Sequence, residues 1–351
     1  MENKMDKSLK RNAYFDNIKG VLILLVVVGH AVDIFTGSYD SAKAMFLWIY
    51  SFHMPLFIFV SGYFSGNAAK SKKRTAQRVF LFLTLYLFYK IGIYISNSLV
   101  AGKATFRLLT ESGPPWYLFA MAVYSIVLYF IKDIGAEYGI SSVLRNPVLI
   151  ISVIFALTAG LDSEIGDFLM LSRIIVYFPF FYFGYLLRNI NIKEKIKKIC
   201  PAPAAVIALI AIFIIAFVFI DDVYIMRAMF TGRHPYSKLG GLSDYGALFR
   251  LAAYAVSALM SFLILAAIPE KTPFRPITLA GKSSLQIYLY HRVVLYLLNF
   301  AGLDNLLLKL GYAGVILWLI ISAVVAFVLA VPVLGKPVEI WQKIINKWIR
   351  I

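Results

Sequence analysis

The chain has 351 residues, of which 61% are hydrophobic and 15% charged. A soluble globular chain carries about 45–50% apolar residues, so this composition excludes a water-soluble enzyme and makes lipid the natural solvent. The formal charge of +17 would suit nucleic acid, but the basic residues sit in short blocks between apolar runs rather than on one face or in one domain, which points away from it.

Apolar runs of about 17–25 residues, the length that crosses a hydrocarbon core near 30 Å thick, recur from Val21 to Leu334. They predict an all-α integral membrane protein of about ten transmembrane helices, over 20–36, 44–65, 79–100, 116–132, 147–160, 171–187, 202–220, 247–267, 277–300 and 312–334. The short segment at 147–160 is expected to extend, tilt or thin the bilayer. No small-residue cleavage site ends the first run, so it reads as a retained helix and not a signal peptide. The organisation expected is a cytoplasmic segment 1–13, a ten-helix domain 14–335 and a basic cytoplasmic tail 336–351. Alternate connections carry 24 and 7 Lys and Arg, and the richer set includes both termini. Positive charge is retained on the cytoplasmic side, so both termini are expected there. The single cysteine, Cys200, permits no intrachain disulfide and is given no role.

Chemistry is expected where polar groups interrupt these runs. In the first helix Asp16 and Lys19 are three residues apart and can pair. Lys19 and His30 are eleven apart, close to three whole turns, so both lie on one face about 16 Å from each other. The second run, Ser51-Phe52-His53-Met54-Pro55-Leu56-Phe57, predicts a kink at Pro55, and the following Ser61-Gly62 predicts a close helix approach. After it come Lys72, Lys73, Arg74 and Arg78, read either as a topogenic or headgroup signal or as a site for a phosphorylated cytoplasmic donor. Trp116 and Tyr117 open the fourth run, as an interfacial belt or as rings that stack on a sugar.

Lys90, Arg173, Arg250 and Arg292 fall at membrane depth, where a charge costs about 2.5–3.5 kcal/mol on insertion scales and often marks a wet cavity. Arg250, near a helix end, is expected to snorkel, and Lys90 is left between the two readings. His30, His53 and His291 lie in apolar runs, where a histidine either bridges helices or serves as a general base near pH 7. The stretch from Asp221 to Ser243, with Arg227, Arg233 and His234, is the longest extracytoplasmic loop expected, either a solvated connection or a place for ligand selection.

Three pieces carry a resemblance that runs from about Tyr14 to Leu334. They are Tyr14-Phe15-Asp16-Asn17-Ile18-Lys19-Gly20 with His30, Phe52-His53-Met54-Pro55-Leu56-Phe57 with Ser61-Gly62-Tyr63, and Pro179-Phe180-Phe181 with Gly184. Together they resemble the bacterial acyltransferase type 3 family, especially its fucose 4-O-acetylase-like membrane O-acetyltransferases. The family pattern of a basic residue, ten residues and an essential histidine is met by Lys19 and His30, which implies that His30 is catalytic, with Lys19 and Asp16 setting its surroundings. The family's two basic residues three apart at the third helix are replaced here by Arg74 and Arg78, four apart.

The resemblance implies transfer of an acyl group, most often acetyl, from cytoplasmic acetyl-coenzyme A to a hydroxyl of an envelope polysaccharide or lipid-linked sugar. No permanently bound cofactor and no metal are expected. Lys72, Lys73, Arg74, Arg78 and Arg173 are the expected donor contacts. His53, Ser61, Trp116, Tyr117, His291 and Arg292 are expected to line the cavity or meet the acceptor. No appended extracytoplasmic domain is present in the sequence, so the helical unit is expected to meet the acceptor itself. The rival expectation is a transporter or flippase of an envelope precursor that uses the buried His, Lys and Arg as a pathway.

Overall fold

A computed structural model of the protein describes residues 13–102, 105–134, 140–269 and 275–349. The N-terminal segment 1–12 and the topology-counting residues Lys103, Lys271 and Arg350 lie outside the described residues. The apolar runs are helical, as backbone in lipid requires when no water can satisfy its polar groups. In chain order the helices that matter here are α1 Ala13–Val32, α2 Asp40–Tyr50, α3 His53–Tyr63, α4 Lys72–Ala101 and α5 Trp116–Ile131. Then follow α6 Pro147–Thr158, α7 Leu171–Leu186, α8 Ile192–Ile199, α9 Ala202–Val218 and α10 Gly246–Ala267. The last are α11 Arg275–Lys282, α12 Ser284–Phe300, α13 Leu303–Lys309, α14 Tyr312–Leu329 and α15 Lys336–Trp348.

Local signals in the sequence set several boundaries. The Ser71 hydroxyl accepts from the Arg74 amide at 3.3 Å to start α4, and Gly102 at φ +68° ends it in the left-handed conformation that glycine permits. The Asn146 side chain caps α6 by accepting from the amides of Val148 and Leu149 at 3.0 and 3.3 Å, with Pro147 at the first position, where a missing N–H costs nothing.

Two expected single helices are broken, and not where proline predicts. The second run divides at Ser51 and Phe52, where Phe52 adopts φ −139° and ψ −23°. Pro55 falls in the first turn of α3, where amides have no intrahelical acceptor in any case. The ninth run divides at Ser283 into α11 and α12. Five helical stretches among the described residues are long and apolar enough to cross a membrane, or six when α8 and α9, bent by 76° at Cys200-Pro201, count as one. The other expected crossings are shorter helices: α5 and α7 have 16 residues each, α12 has 17 and α6 has 12.

Burial runs opposite to that of a soluble protein. Phe88, Ile207, Leu248 and Ile316 face outward, while Asp16, Arg173, Arg250 and His291 are buried. Small residues allow the backbones to meet inside. A Cβ on Gly20 would collide with the Ile277 carbonyl and one on Gly281 with the Asp16 carbonyl, so α1 and α11 touch main chain to main chain. The Gly62 and Gly184 contacts with the carbonyls of Phe181 and Phe59 join α3 to α7 in the same way, as the Ser61-Gly62 pair predicted. Asn17 of the first motif is a tie between elements. Its amide donates to the Pro269 carbonyl at 3.2 Å and its oxygen accepts from Thr278 Oγ1 at 2.7 Å. The basic tail folds as α15 and docks on α4, with the Trp341 indole donating to Thr84 at 2.8 Å.

Gly184→Val is therefore expected to wedge α3 from α7. Overpacking of this kind costs about 1–3 kcal/mol, read as a fall in the thermal unfolding midpoint of the solubilised protein. Gly37→Ala, with nothing near its Cβ position, serves as the control that should leave the midpoint in place.

Candidate active site

Two cavities open along one face of α1. The first, of about 270 Å³, is bounded by Lys19, Ser61, Arg78 and Tyr117. The second, of about 640 Å³, is bounded by His30, Tyr50, His53, Trp116, Arg173 and Arg292 among others. Val26, Met54 and Tyr288 line both, so these three side chains are the partition between them. The eleven-residue interval of the first motif thus places Lys19 on one side of the partition and His30 on the other.

Around the first cavity, Lys19 pairs with the buried Asp16 at 2.8 Å. Ser61 Oγ and the Tyr117 hydroxyl are 2.8 Å apart. Arg78 lies with its guanidinium 5.4 Å from the Phe82 ring centre. Lys72, Lys73 and Arg74 are exposed at the start of α4, and Arg74 reaches the Asn67 carbonyl at 3.5 Å. Of that basic cluster, Arg78 is the member that lines the cavity.

In the second cavity His30 is half-buried and its Nδ1 lies 3.2 Å from the Tyr50 hydroxyl. A phenol that donates to Nδ1 leaves the ring proton on Nε2; turning that hydroxyl away leaves Nδ1 as the free basic nitrogen. The His291 ring stacks on His30 at 5.3 Å and 14°. Its Nδ1 faces the carbonyl of Tyr288 at 2.8 Å. Since a carbonyl can only accept, Nδ1 of His291 carries the proton and Nε2, buried without a partner among the described residues, presents its lone pair when the ring is neutral. His53 is held likewise by the Ile49 carbonyl at 2.8 Å and packs edge-on to Tyr50. Arg292 Nη1 lies 3.4 Å from the His30 carbonyl.

These positions bear on several expectations. Arg173, grouped with the donor contacts, lies across the partition from Arg78. It donates to the carbonyls of Ser112, at 3.2 Å, and of Glu111, and to the Asp167 carboxylate at 3.2 Å. Trp116 and Tyr117 form no interfacial belt, being 7% and 8% exposed inside the bundle, and they face different cavities. His291 is wholly buried behind His30 rather than exposed to the cavity. Arg250 does not snorkel. It is fully buried and donates to the carbonyls of Met229 at 2.7 Å and His234 at 3.4 Å, fastening residues 229–234 over the second cavity. Lys90 is accounted for by Glu111, 2.8 Å away.

Reasoning from the sequence did not reach Tyr50, Asp33, Glu111 or Asp167. A signal existed for the acids. Buried cations need carboxylate partners, and Glu111 and Asp167 lie in the connections next to the helices that carry Lys90 and Arg173. The stretch from Asp221 to Ser243 folds into short helical turns, and its Arg227, Arg233 and His234 all line the second cavity. Burial, reinforced by the Arg233 charge, holds the His234 pKa down at about 4, so that ring is neutral near pH 7.

An apolar helical bundle with a basic, histidine-bearing interior defines a membrane protein with a polar centre. A family model described as "Acyltransferase domain" matches residues 12–335, and the chain belongs to this acyltransferase 3 family. It is also similar to the nodulation protein NolL of Mesorhizobium japonicum, at 34% identity over 132 residues, which cover 34% of this chain and 35% of that protein. The NolL protein of Sinorhizobium fredii is 28% identical over 191 residues, covering 50% of this chain and 48% of that protein. The chain thus spans about a third to a half of the length of these curated relatives. No solved structure matches.

Proposed function

We propose that this protein is a multi-pass O-acyltransferase of a bacterial cytoplasmic membrane that moves an acyl group, acetyl by the commonest habit of the resemblance, from cytoplasmic acyl-coenzyme A to a hydroxyl of an envelope carbohydrate. The observation that carries the reading is the pair of cavities meeting at Val26, Met54 and Tyr288, with Lys19 and Arg78 on one side and His30 on the other. With ten crossings and both termini cytoplasmic, the Arg78 side faces the cytoplasm. The donor's phosphates then lie against Arg78, supported by the exposed Lys72, Lys73 and Arg74, and its thioester arm passes the partition. The acceptor enters the larger cavity from the other side.

Two chemical roles for His30 are compatible with its exposure and its Tyr50 contact. As a base it takes the proton of the acceptor hydroxyl while the oxygen attacks the thioester carbonyl; the tetrahedral adduct then expels the coenzyme A thiolate, which takes up that proton. As a carrier its unprotonated nitrogen attacks the carbonyl and expels the thiolate. The hydroxyl oxygen then takes the acyl group and releases neutral imidazole, while the hydroxyl proton passes to the thiolate. Arg292, beside the His30 main chain, supplies a cation for the oxyanion that forms on either path. Family membership favours this reading over the transporter or flippase.

The donor half is tested by charge reversal. Arg78→Glu is expected to weaken binding of 3′,5′-ADP, the phosphate-bearing end of coenzyme A, by about tenfold or more, since a hydrogen bond to a charged group contributes roughly 1.5–3 kcal/mol. Equilibrium binding to the purified protein measures this, and unchanged affinity would remove the donor from this cavity.

A further inference from the structure

The wall of the larger cavity carries twice as many cationic side chains as carboxylates; part of that excess lies on Arg107 and Arg292, and part is built into one corner where two guanidiniums meet a single carboxylate. Lys90 and Glu111 pair one to one at 2.8 Å, as do Arg227 and Asp33 at 2.7 Å. Asp167 is different: a single carboxylate, it holds Arg173 on one oxygen, at 3.2 Å, and Arg233 on the other. Two guanidiniums sharing one carboxylate leave a net positive charge in the wall.

Both guanidiniums also retain donors. The Nε groups of Arg173 and Arg233 are buried and have no partner among the described residues, and Arg173 as a whole is only 4% exposed. A buried donor left unsatisfied costs about 1–3 kcal/mol, more when charged, and uncompensated charge away from water costs more again. His234, neutral near pH 7, adds nothing to the imbalance. The same corner offers an aromatic floor, with Trp116 stacked on Tyr177 at 5.2 Å and the Arg173 guanidinium 5.2 Å from the Trp116 ring centre.

Resting on the acyltransferase reading, we infer that the acceptor is itself an anion, a sugar bearing an oxyanion that docks on Arg173 and Arg233 while its hydroxyl approaches His30. A planar guanidinium pair suits a phosphate or a carboxylate, each of which takes paired N–H donors. The aromatic floor suits a sugar ring beside it. The oxyanion is either the phosphate of a lipid-linked sugar or the carboxylate of an acidic sugar.

The test uses the full-length protein in nanodiscs and reads ligand-induced thermal stabilisation, which rises with occupancy of the folded state. The probes are a polyprenyl phosphate, a uronic-acid disaccharide and neutral cellobiose. At least one anionic probe is expected to bind about tenfold or more tighter than cellobiose, and Arg233→Gln is expected to erase most of that preference, with Arg233→Lys keeping part of it. A preference for the phosphate alone identifies a lipid-linked acceptor, and one for the carboxylate alone an acidic sugar. Equal affinity for all three probes overturns the inference. So does a loss of 3′,5′-ADP binding in Arg233→Gln, which would make this charge the donor's. Slow thioester cleavage by the wild-type protein without any acceptor reports separately on the acyltransferase reading.

Discussion

His30→Ala is expected to reduce acyl transfer by at least about 10²–10⁴-fold, the range that a positioned acid–base group contributes, with complete loss if the imidazole carries the acyl group. Purified wild type and variant are mixed with radiolabelled acetyl-coenzyme A, and both donor binding and slow thioester cleavage are followed. Binding is expected to survive in the variant, because Lys19 and Arg78 lie beyond Val26 and Met54 from His30. The fold is expected to survive as well. His30 is half-buried at a cavity wall, where its ring meets Tyr50 and stacks on His291, and because that wall already borders a void, truncation enlarges an existing space instead of opening one in packed core. Full cleavage by the variant would sink the assignment. Absence of donor binding in both proteins would instead bring the transporter reading forward. His291 does not permit an equally clean experiment: it is wholly buried, and its replacement mixes lost packing with lost chemistry.

The first helix was legible because its signals are local. Asp16, Lys19 and His30 lie on one element, and helical geometry alone ties Lys19 to Asp16 and sets Lys19 and His30 on one face. The Gly62 contact was legible for a similar reason, since small residues in apolar runs have few uses other than close approach; its counterpart at Gly184 was not singled out for such a contact. The break at Ser51 and Phe52 was not legible. Proline is the strongest breaker in a sequence, yet Pro55 falls where a first turn tolerates it, and the break depends on a Phe52 backbone conformation that carries no residue signature. The partners of Arg173 were not legible, because positive charge is not labelled by partner. Only the packing of α7 beside the 105–115 connection shows that Asp167, the Glu111 carbonyl and the Ser112 carbonyl hold it. Trp116 and Tyr117, adjacent in sequence, face different cavities because neighbouring residues on a helix point about 100° apart.

The partition between the cavities makes a prediction that neither cavity makes alone. Met54 is half-buried and lines both, whereas Val26 and Tyr288 are buried and fixed, Tyr288 by its hydroxyl donating to the Pro114 carbonyl. An unbranched thioether is the most adaptable side chain available for a gap that a thioester arm must pass. Met54→Trp is expected to fill that gap with a rigid ring while leaving the Arg78 side unchanged. Binding of 3′,5′-ADP should then match wild type, but thioester cleavage should fall by about 10²-fold, the loss that a misplacement near 1 Å brings. Met54→Leu, close in volume, should retain most of the rate, which separates blockage from the loss of sulfur. A Trp variant that keeps its thermal midpoint and its donor affinity but cleaves at the wild-type rate would mean that the donor reaches His30 by another route. If cleavage falls together with affinity for whole acetyl-coenzyme A while 3′,5′-ADP binding is unchanged, the arm already rests on Met54 before it crosses, and the partition belongs to the binding site rather than to a passage through it.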